Sequence, residues 1–265
     1  MQIRTVKVDR ILNKIARKDD LFCGDYTVDP YQNCDFGCIY CDSSYSNEVF
    51  VKINAAELLD KELEDILKGR IIVGSVHDPY QKIEEQYKLT RKILKVIQKH
   101  GFACHILTKS DLVLRDIDLL KKMKDSIVTI SITSADETVS KIFERNVSSP
   151  ANRMNIVEKL KKSNIKAGVA VMPAIPFIIE DQIEKIVQES KEHNADYLIF
   201  KHLELKGDQK SVFFEVINEY FPTFYEKFVE LYKDSFFPSG EYISHVGKKI
   251  KEISLRKGIE NTIDF

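Results

Sequence analysis

The sequence predicts an α/β protein with a parallel sheet wrapped by helices, and three observations carry that expectation. Six short runs rich in Val, Ile, Leu or aromatic residues recur at 25–28, 70–75, 102–108, 126–132, 166–172 and 195–201, as buried parallel strands do. Between them lie stretches whose apolar residues fall at helical spacing. The length, 265 residues, suits one domain and buries enough surface to fold without a disulfide or metal staple. Successive β–α units imply right-handed crossovers with helices outside the sheet. Either an open doubly wound sheet or a partial (β/α) barrel satisfies this pattern.

The elements follow in order. A helix is expected over 55–68, where Leu59, Leu63, Ile66 and Leu67 fall at i, i+4, i+7 and i+8, one apolar stripe. Asn54 stands at its cap position, Glu57 in its first turn and Gly69 where a C-terminal glycine belongs. The stretch 84–100 repeats the pattern with Leu89, Ile93, Val96 and Ile97, followed by Gly101. Shorter helices are expected over 116–123, 152–163 and 182–193. The tail after Lys201 is aromatic instead, with Phe224, Phe228 and Tyr232 at i, i+4 and i+8. That spacing marks a helix face packed on a core rather than a base-stacking surface. No internal repeat, low-complexity tract or linker is evident, so one domain is expected over 1–265. Its core spans about 22–201, and a helical extension about 202–265.

Composition narrows the function. Hydrophobic residues make up 43% and charged residues 31%, with a net charge of −1. These values exclude a disordered chain and a globally basic nucleic-acid binder. No apolar run reaches the length of a membrane helix, and MQIRTVKVDR has no apolar signal core. A soluble, cytoplasmic protein is expected.

Five cysteines, Cys23, Cys34, Cys38, Cys41 and Cys104, are too few and too uneven for a disulfide framework. Three of them share one loop, Cys34-Asp-Phe-Gly-Cys38-Ile-Tyr-Cys41. Structural zinc takes four protein ligands, commonly as two pairs, and no second pair follows. A four-iron, four-sulfur cube ligated by three thiolates keeps one iron open. That favours a catalytic cluster over a structural metal, with His77 as a distant fourth zinc ligand in the other reading. The loop follows the first expected strand, on the face where a barrel carries its active site.

This cysteine spacing with an aromatic before the third thiol resembles the radical S-adenosylmethionine (SAM) superfamily. The segments DPYQNCDFGCIYC (29–41), VGSVHDPYQKIE (73–84), LTRKIL (89–94), LTKSDLVLRDIDLL (107–120) and SITS (131–134) resemble its spore photoproduct lyase branch over roughly 25–200. The resemblance implies a partial (β/α)6 barrel of the radical SAM type, with the aromatic helical extension behind it. It implies a [4Fe-4S] cluster on Cys34, Cys38 and Cys41, and SAM cleaved to a 5′-deoxyadenosyl radical that abstracts hydrogen from a substrate not yet identified. Tyr40 would meet the adenine, Lys109 the methionyl carboxylate and Ser131 the ribose. Ser75 or Asp78 would accept from the methionyl amine, with small residues such as Gly74 admitting the ligand, and His77 and Asp78 are candidate catalytic groups. A one-electron reductant such as flavodoxin or ferredoxin is the expected partner; nucleic acid is not indicated by charge.

Two positions depart from the lyase pattern. Val76 stands where that branch carries a hydrogen-donating cysteine, and Asp42 where it carries a tyrosine. Cys104 alternates with Lys109 and is expected on the helix side of its strand. Pyrimidine-dimer lesion cleavage is therefore the secondary reading, and a zinc-stabilised binding protein the reading from another class.

Overall fold

In the computed structural model, residues 1–16 and 21–264 are described. The strands are β1 Gln2–Val6, β2 Leu12–Lys14, β3 Tyr26–Val28, β4 Tyr31–Gln32, β5 Glu48–Lys52, β6 Arg70–Val73, β7 Ala103–Thr108, β8 Ile127–Ser131, β9 Lys166–Ala174 and β10 Leu198–His202. The main sheet runs β10-β9-β8-β7-β6-β3-β2. Its strands from β3 to β10 are parallel neighbours, and β2 closes one edge antiparallel to β3. A second sheet, β1-β5-β4, flanks it.

The six parallel strands are the six expected ones, with β10 starting three residues later than its apolar run. Alternation sorts their side chains. Cys104, Ile106, Val128, Ile130, Val169 and Val171 join the helices in the main core, so Cys104 faces the helix side as its parity requires. The opposite face is concave. Thr129 Oγ1 on β8 lies 2.6 Å from the Tyr197 hydroxyl beside β10, reaching across β9, where Gly168 leaves room. A Cβ on Gly168 would sit 2.3 Å from the Tyr197 ring. His105 Nε2 contacts the same Thr129 Oγ1 at 2.6 Å. These three side chains fill the interior of a partial (β/α)6 barrel.

Three local expectations change. The first helix is Ala55–Glu62 and ends at Leu63, short of Gly69. The Asn54 side chain does not cap it; its amide donates to the Val8 carbonyl and its oxygen accepts from the Val8 N–H, at 2.8 and 3.0 Å. Gly69 instead sits against Asp25, whose Oδ2 would be 2.7 Å from an added Cβ. The stretch 84–100 breaks at Lys88 (φ 50°) into Glu84–Tyr87 and Leu89–Lys99, while Gly101 does take the left-handed turn (φ 65°). The helices Ile117–Leu120, Pro150–Lys162 and Ile183–Glu192 lie close to their expected ranges, and a further helix, Glu137–Phe143, is not among the expected ones. Strands β1, β2, β4 and β5 are not among the expected ones either: β1 is exposed along nearly its whole length, β2 and β4 have three and two residues, and β5 alternates half-buried with buried positions.

The extension forms helices Asp208–Tyr220, Tyr225–Leu231 and Gly240–Lys257. Its aromatics do pack. Phe228 and Tyr232 are fully buried and Phe224 half-buried, in one cluster with Cys34, Phe36, Cys38, Ile39 and Tyr40. The aromatic tail is therefore the wall behind the cysteine loop.

Candidate active site

The cysteine loop is built from backbone outward. Gly37 adopts φ 65°, a conformation glycine takes without steric cost, and this turns the chain between Cys34 and Cys38. Residues 36–40 then pair with 143–146: the Ile39 N–H donates to the Phe143 carbonyl at 2.9 Å, the Asn146 N–H to the Phe36 carbonyl at 3.1 Å, and Cys38 bridges Glu144. Cys34 and Cys38 are buried and Cys41 half-buried, all as free thiols. Burial pushes the Cys38 thiol up to about 12, against the pull of Lys109. It raises Cys34 too, with the Asp78 charge adding to it.

Beside the loop opens a cavity of about 350 Å³ at the C-terminal ends of the parallel strands. Tyr40, Cys41 and Asp42 form one side, Gly74–Asp78 the next, then Lys109 beyond β7, Ser131 of β8, Met172 and Pro173 of β9, and Lys201 of β10. Every sequence-predicted site residue except Cys34 and Cys38 lines it, and those two are buried in the apolar cluster that contains Tyr40 and packs against Cys41.

Lys109 is the central cation. Its Nζ lies 5.8 Å from the centre of the Tyr40 ring. Burial lowers its proton affinity, but the facing Cys38, Glu144 and Asp78 outweigh this and hold it above the ordinary lysine value. The half-buried Lys109 ammonium lines the open cavity.

The rim is tied strand end to strand end. The Asp29 carboxylate, after β3, accepts from Ser75 Oγ at 2.7 Å and from the Val76 and His77 N–H groups at 3.0 and 3.4 Å. The Asp78 carboxylate accepts from Thr108 Oγ1 at 2.7 Å and from the Lys109 and Tyr80 N–H groups at 2.8 and 2.9 Å. Burial raises Asp78 while these hydrogen bonds oppose it. Ser131 Oγ donates to the Met172 carbonyl at 3.0 Å. Ser75 and Ser131 thus keep acceptor lone pairs toward the cavity, and Asp78 has three of its roughly four acceptor positions occupied. Gly74 (φ 84°) is required by packing as well, since an added Cβ would stand 2.3 Å from Pro79. His77 Nδ1 is buried without a hydrogen-bond partner, and burial lowers its proton affinity.

Sequence reasoning missed Asp29, Glu144 and Arg153. The signal for Asp29 was present, because Asp-Pro-Tyr-Gln occurs at both 29–32 and 78–81; the expectation of no repeat overlooks this short one. Glu144 and Arg153 are fully buried and paired at 2.6 Å, and nothing in their spacing announces that.

The three thiols fit a multi-iron group by donor chemistry: soft sulfur ligands with an apolar wall behind and a cavity in front of Cys41. The fit is one of donor chemistry and not of converged ligands: among the described residues, no group of three or more His, Cys, Asp and Glu side chains, these thiols included, is placed to hold a metal ion. No helix of the described residues is long and apolar enough to cross a membrane.

Comparisons with known proteins bear on the family and the fold. The sequence pattern of the radical SAM superfamily matches residues 28–189. An uncharacterized protein of Methanocaldococcus jannaschii is 33% identical over 211 residues, covering 76% of this chain and 78% of the relative. A Mycobacterium tuberculosis protein, also uncharacterized, is 23% identical over 228 residues, covering 78% and 67%. Among solved structures, a spore photoproduct lyase mutant superposes with TM-score 0.70 at 15% identity, over 96% of this chain and 79% of that one. Streptococcus suis SuiB bound to S-adenosylmethionine gives TM-score 0.55 at 15% identity, over 76% and 47%. At such identities the structural likeness shows the fold alone.

Proposed function

The chain belongs to the radical SAM superfamily, and on that premise we propose that it is an enzyme using a [4Fe-4S] cluster and SAM to abstract hydrogen from a substrate held in the 350 Å³ cavity. The observation that carries this reading is the Lys109 ammonium facing the cavity between Cys38 and the Tyr40 ring. When bound, the cluster and SAM supply a 5′-deoxyadenosyl radical by one-electron cleavage of the sulfonium.

The chain's own residues do the holding. Cys34, Cys38 and Cys41 would ligate iron, deprotonated by the metal despite the high proton affinity of the buried thiols. Lys109 would pair with the methionyl carboxylate, Ser131 would accept from the ribose, and the backbone at Tyr40 would meet the adenine. Ser75 would accept from the methionyl amine through its free lone pair. Asp78 would serve chiefly by fixing the Lys109 backbone, with one acceptor position left for that amine. His77, neutral and unpartnered at Nδ1, is placed for substrate contact or proton transfer. The aromatic wall of Phe143, Phe213 and Phe228 excludes water from the rear of the loop.

The reductant would be a one-electron carrier such as flavodoxin or ferredoxin, and the compartment the cytoplasm. Lesion repair receives no support from the cavity, whose rim carries Val76, 65% exposed, where the lyase branch carries its hydrogen donor. Among the described residues, no donor set completes the zinc reading.

Anaerobic reconstitution with iron and sulfide, followed by an assay for 5′-deoxyadenosine, tests the proposal. About four irons per chain and reductive SAM cleavage are expected. One zinc and no iron, or a cluster that never cleaves SAM, would overturn it.

A further inference from the structure

Behind the cavity, four side chains form a continuous buried line. The Tyr40 hydroxyl donates to Glu144 Oε1. Glu144 Oε2 pairs with Arg153 Nη2 at 2.6 Å. Arg153 Nη1 donates to the Ser131 carbonyl at 2.8 Å, and its Nη2 to Ser140 Oγ at 2.9 Å. Glu144, Arg153 and Ser131 are buried to 2% exposure or less. None of these contacts belongs to the sheet ladder, and together they join the cysteine loop to the end of β8.

Glu144 grips the loop twice. Its backbone bridges Cys38, and its carboxylate holds Tyr40, two residues on. The loop therefore cannot shift relative to Glu144 by either route alone. Arg153 carries the constraint onward, because a buried carboxylate left without its cation costs several kcal/mol, so the pair moves as a unit. The far end of that unit is the backbone of Ser131, whose hydroxyl faces the cavity and is itself held on Met172.

We propose that Glu144 is a positioning residue that, through Tyr40 and Arg153, fixes the separation between the cysteine loop and the Ser131 strand end, and so presets the span that SAM must bridge. This rests on the function proposed above. The physical gain is preorganisation: a ligand contacting both ends of a fixed span loses little free energy in ordering the site.

Two variants test it. Tyr40→Phe removes one hydroxyl and keeps the ring; Glu144→Gln with Arg153→Met removes both buried charges together, so neither is stranded. Hydrogen exchange is measured first on the metal-free protein. Both variants are expected to exchange about tenfold faster over 36–41 and, at a distance, over 129–133. In reconstituted Tyr40→Phe, iron content is expected to hold while SAM affinity falls about tenfold, and the change that SAM induces in the reduced cluster's paramagnetic resonance spectrum weakens. Unaltered exchange over 129–133 in both variants overturns the coupling, and so does unaltered SAM affinity alongside a loosened loop. If the wild-type protein takes up iron but binds no SAM, the proposed function fails while the exchange measurement still decides whether the two ends are coupled.

Discussion

The tetrapeptide Asp-Pro-Tyr-Gln follows β3 at 29–32 and recurs beyond β6 at 78–81, and the two copies meet opposite fates at one residue. Both aspartates tie their own strand end to the next one in the sheet. Both tyrosines are buried with their hydroxyls on carboxylates, Tyr31 on Glu84 and Tyr80 on Asp116. The glutamines part company. Gln32 is exposed at the edge of β4. Gln81 is fully buried; its amide donates to the Asn33 carbonyl at 3.0 Å, and its oxygen accepts from the Asp35 N–H at 3.3 Å. What a short sequence dictates by covalent spacing is shared, and what a tertiary neighbour dictates is not. The second copy ends up supporting the loop that grows out of the first.

That contrast orders the expected effects. Largest is the replacement of any one of Cys34, Cys38 or Cys41 by alanine, which should abolish 5′-deoxyadenosine formation in a reconstituted assay; retained turnover would remove that cysteine from the ligand set. Next, Lys109→Ala should weaken SAM binding by about 1.5–3 kcal/mol, the worth of a hydrogen bond to a charged group, read by titration calorimetry. Gln81→Ala should cost about 1–3 kcal/mol of folding stability by stranding buried backbone groups and should lower iron retention. Gln32→Ala should stay within about 0.5 kcal/mol of wild type in the same denaturant melts. Equal losses for the two glutamines would erase the distinction drawn here.

The smallest effect is a slope. Burial lowers His77 below its unfolded value, so below pH about 6.5 the unfolded chain takes up a proton that the folded chain resists. Stability should therefore fall as pH drops through that window. His77→Asn should flatten part of the fall, leaving the share of His202, which burial also lowers.

Much of this was readable in the sequence, and the reasons are physical. Six parallel strands showed because both their faces are buried, leaving runs of β-branched residues rather than alternation. Cys34, Cys38 and Cys41 showed because metal ligation demands close spacing, whereas Ser75, Asp78, Lys109 and Ser131 came only through the family resemblance. Glu144 and Arg153 did not show, since a buried ion pair depends on two elements meeting in space. The segments LTRKIL and LTKSDLVLRDIDLL are instructive. Apart from Lys109, their charged residues largely build a scaffold: Arg91 and Arg115 both reach buried Asp116, at 2.6 and 2.8 Å, and Arg115 also reaches Glu84 at 2.5 Å. Resemblance detects a support as readily as a reactive group. Helix ends were less legible than starts: the helix at Ala55 begins where expected although Asn54 turns from capping to the Val8 backbone, but it stops at Leu63, and Gly69 packs against Asp25 instead of closing it.

His105, Thr129 and Tyr197 fill the barrel interior, and none of them lines the cavity at the strand ends. The cavity is thus a hollow of the C-terminal rim, and substitutions in the interior trio should be read in folding stability before they are read in ligand affinity.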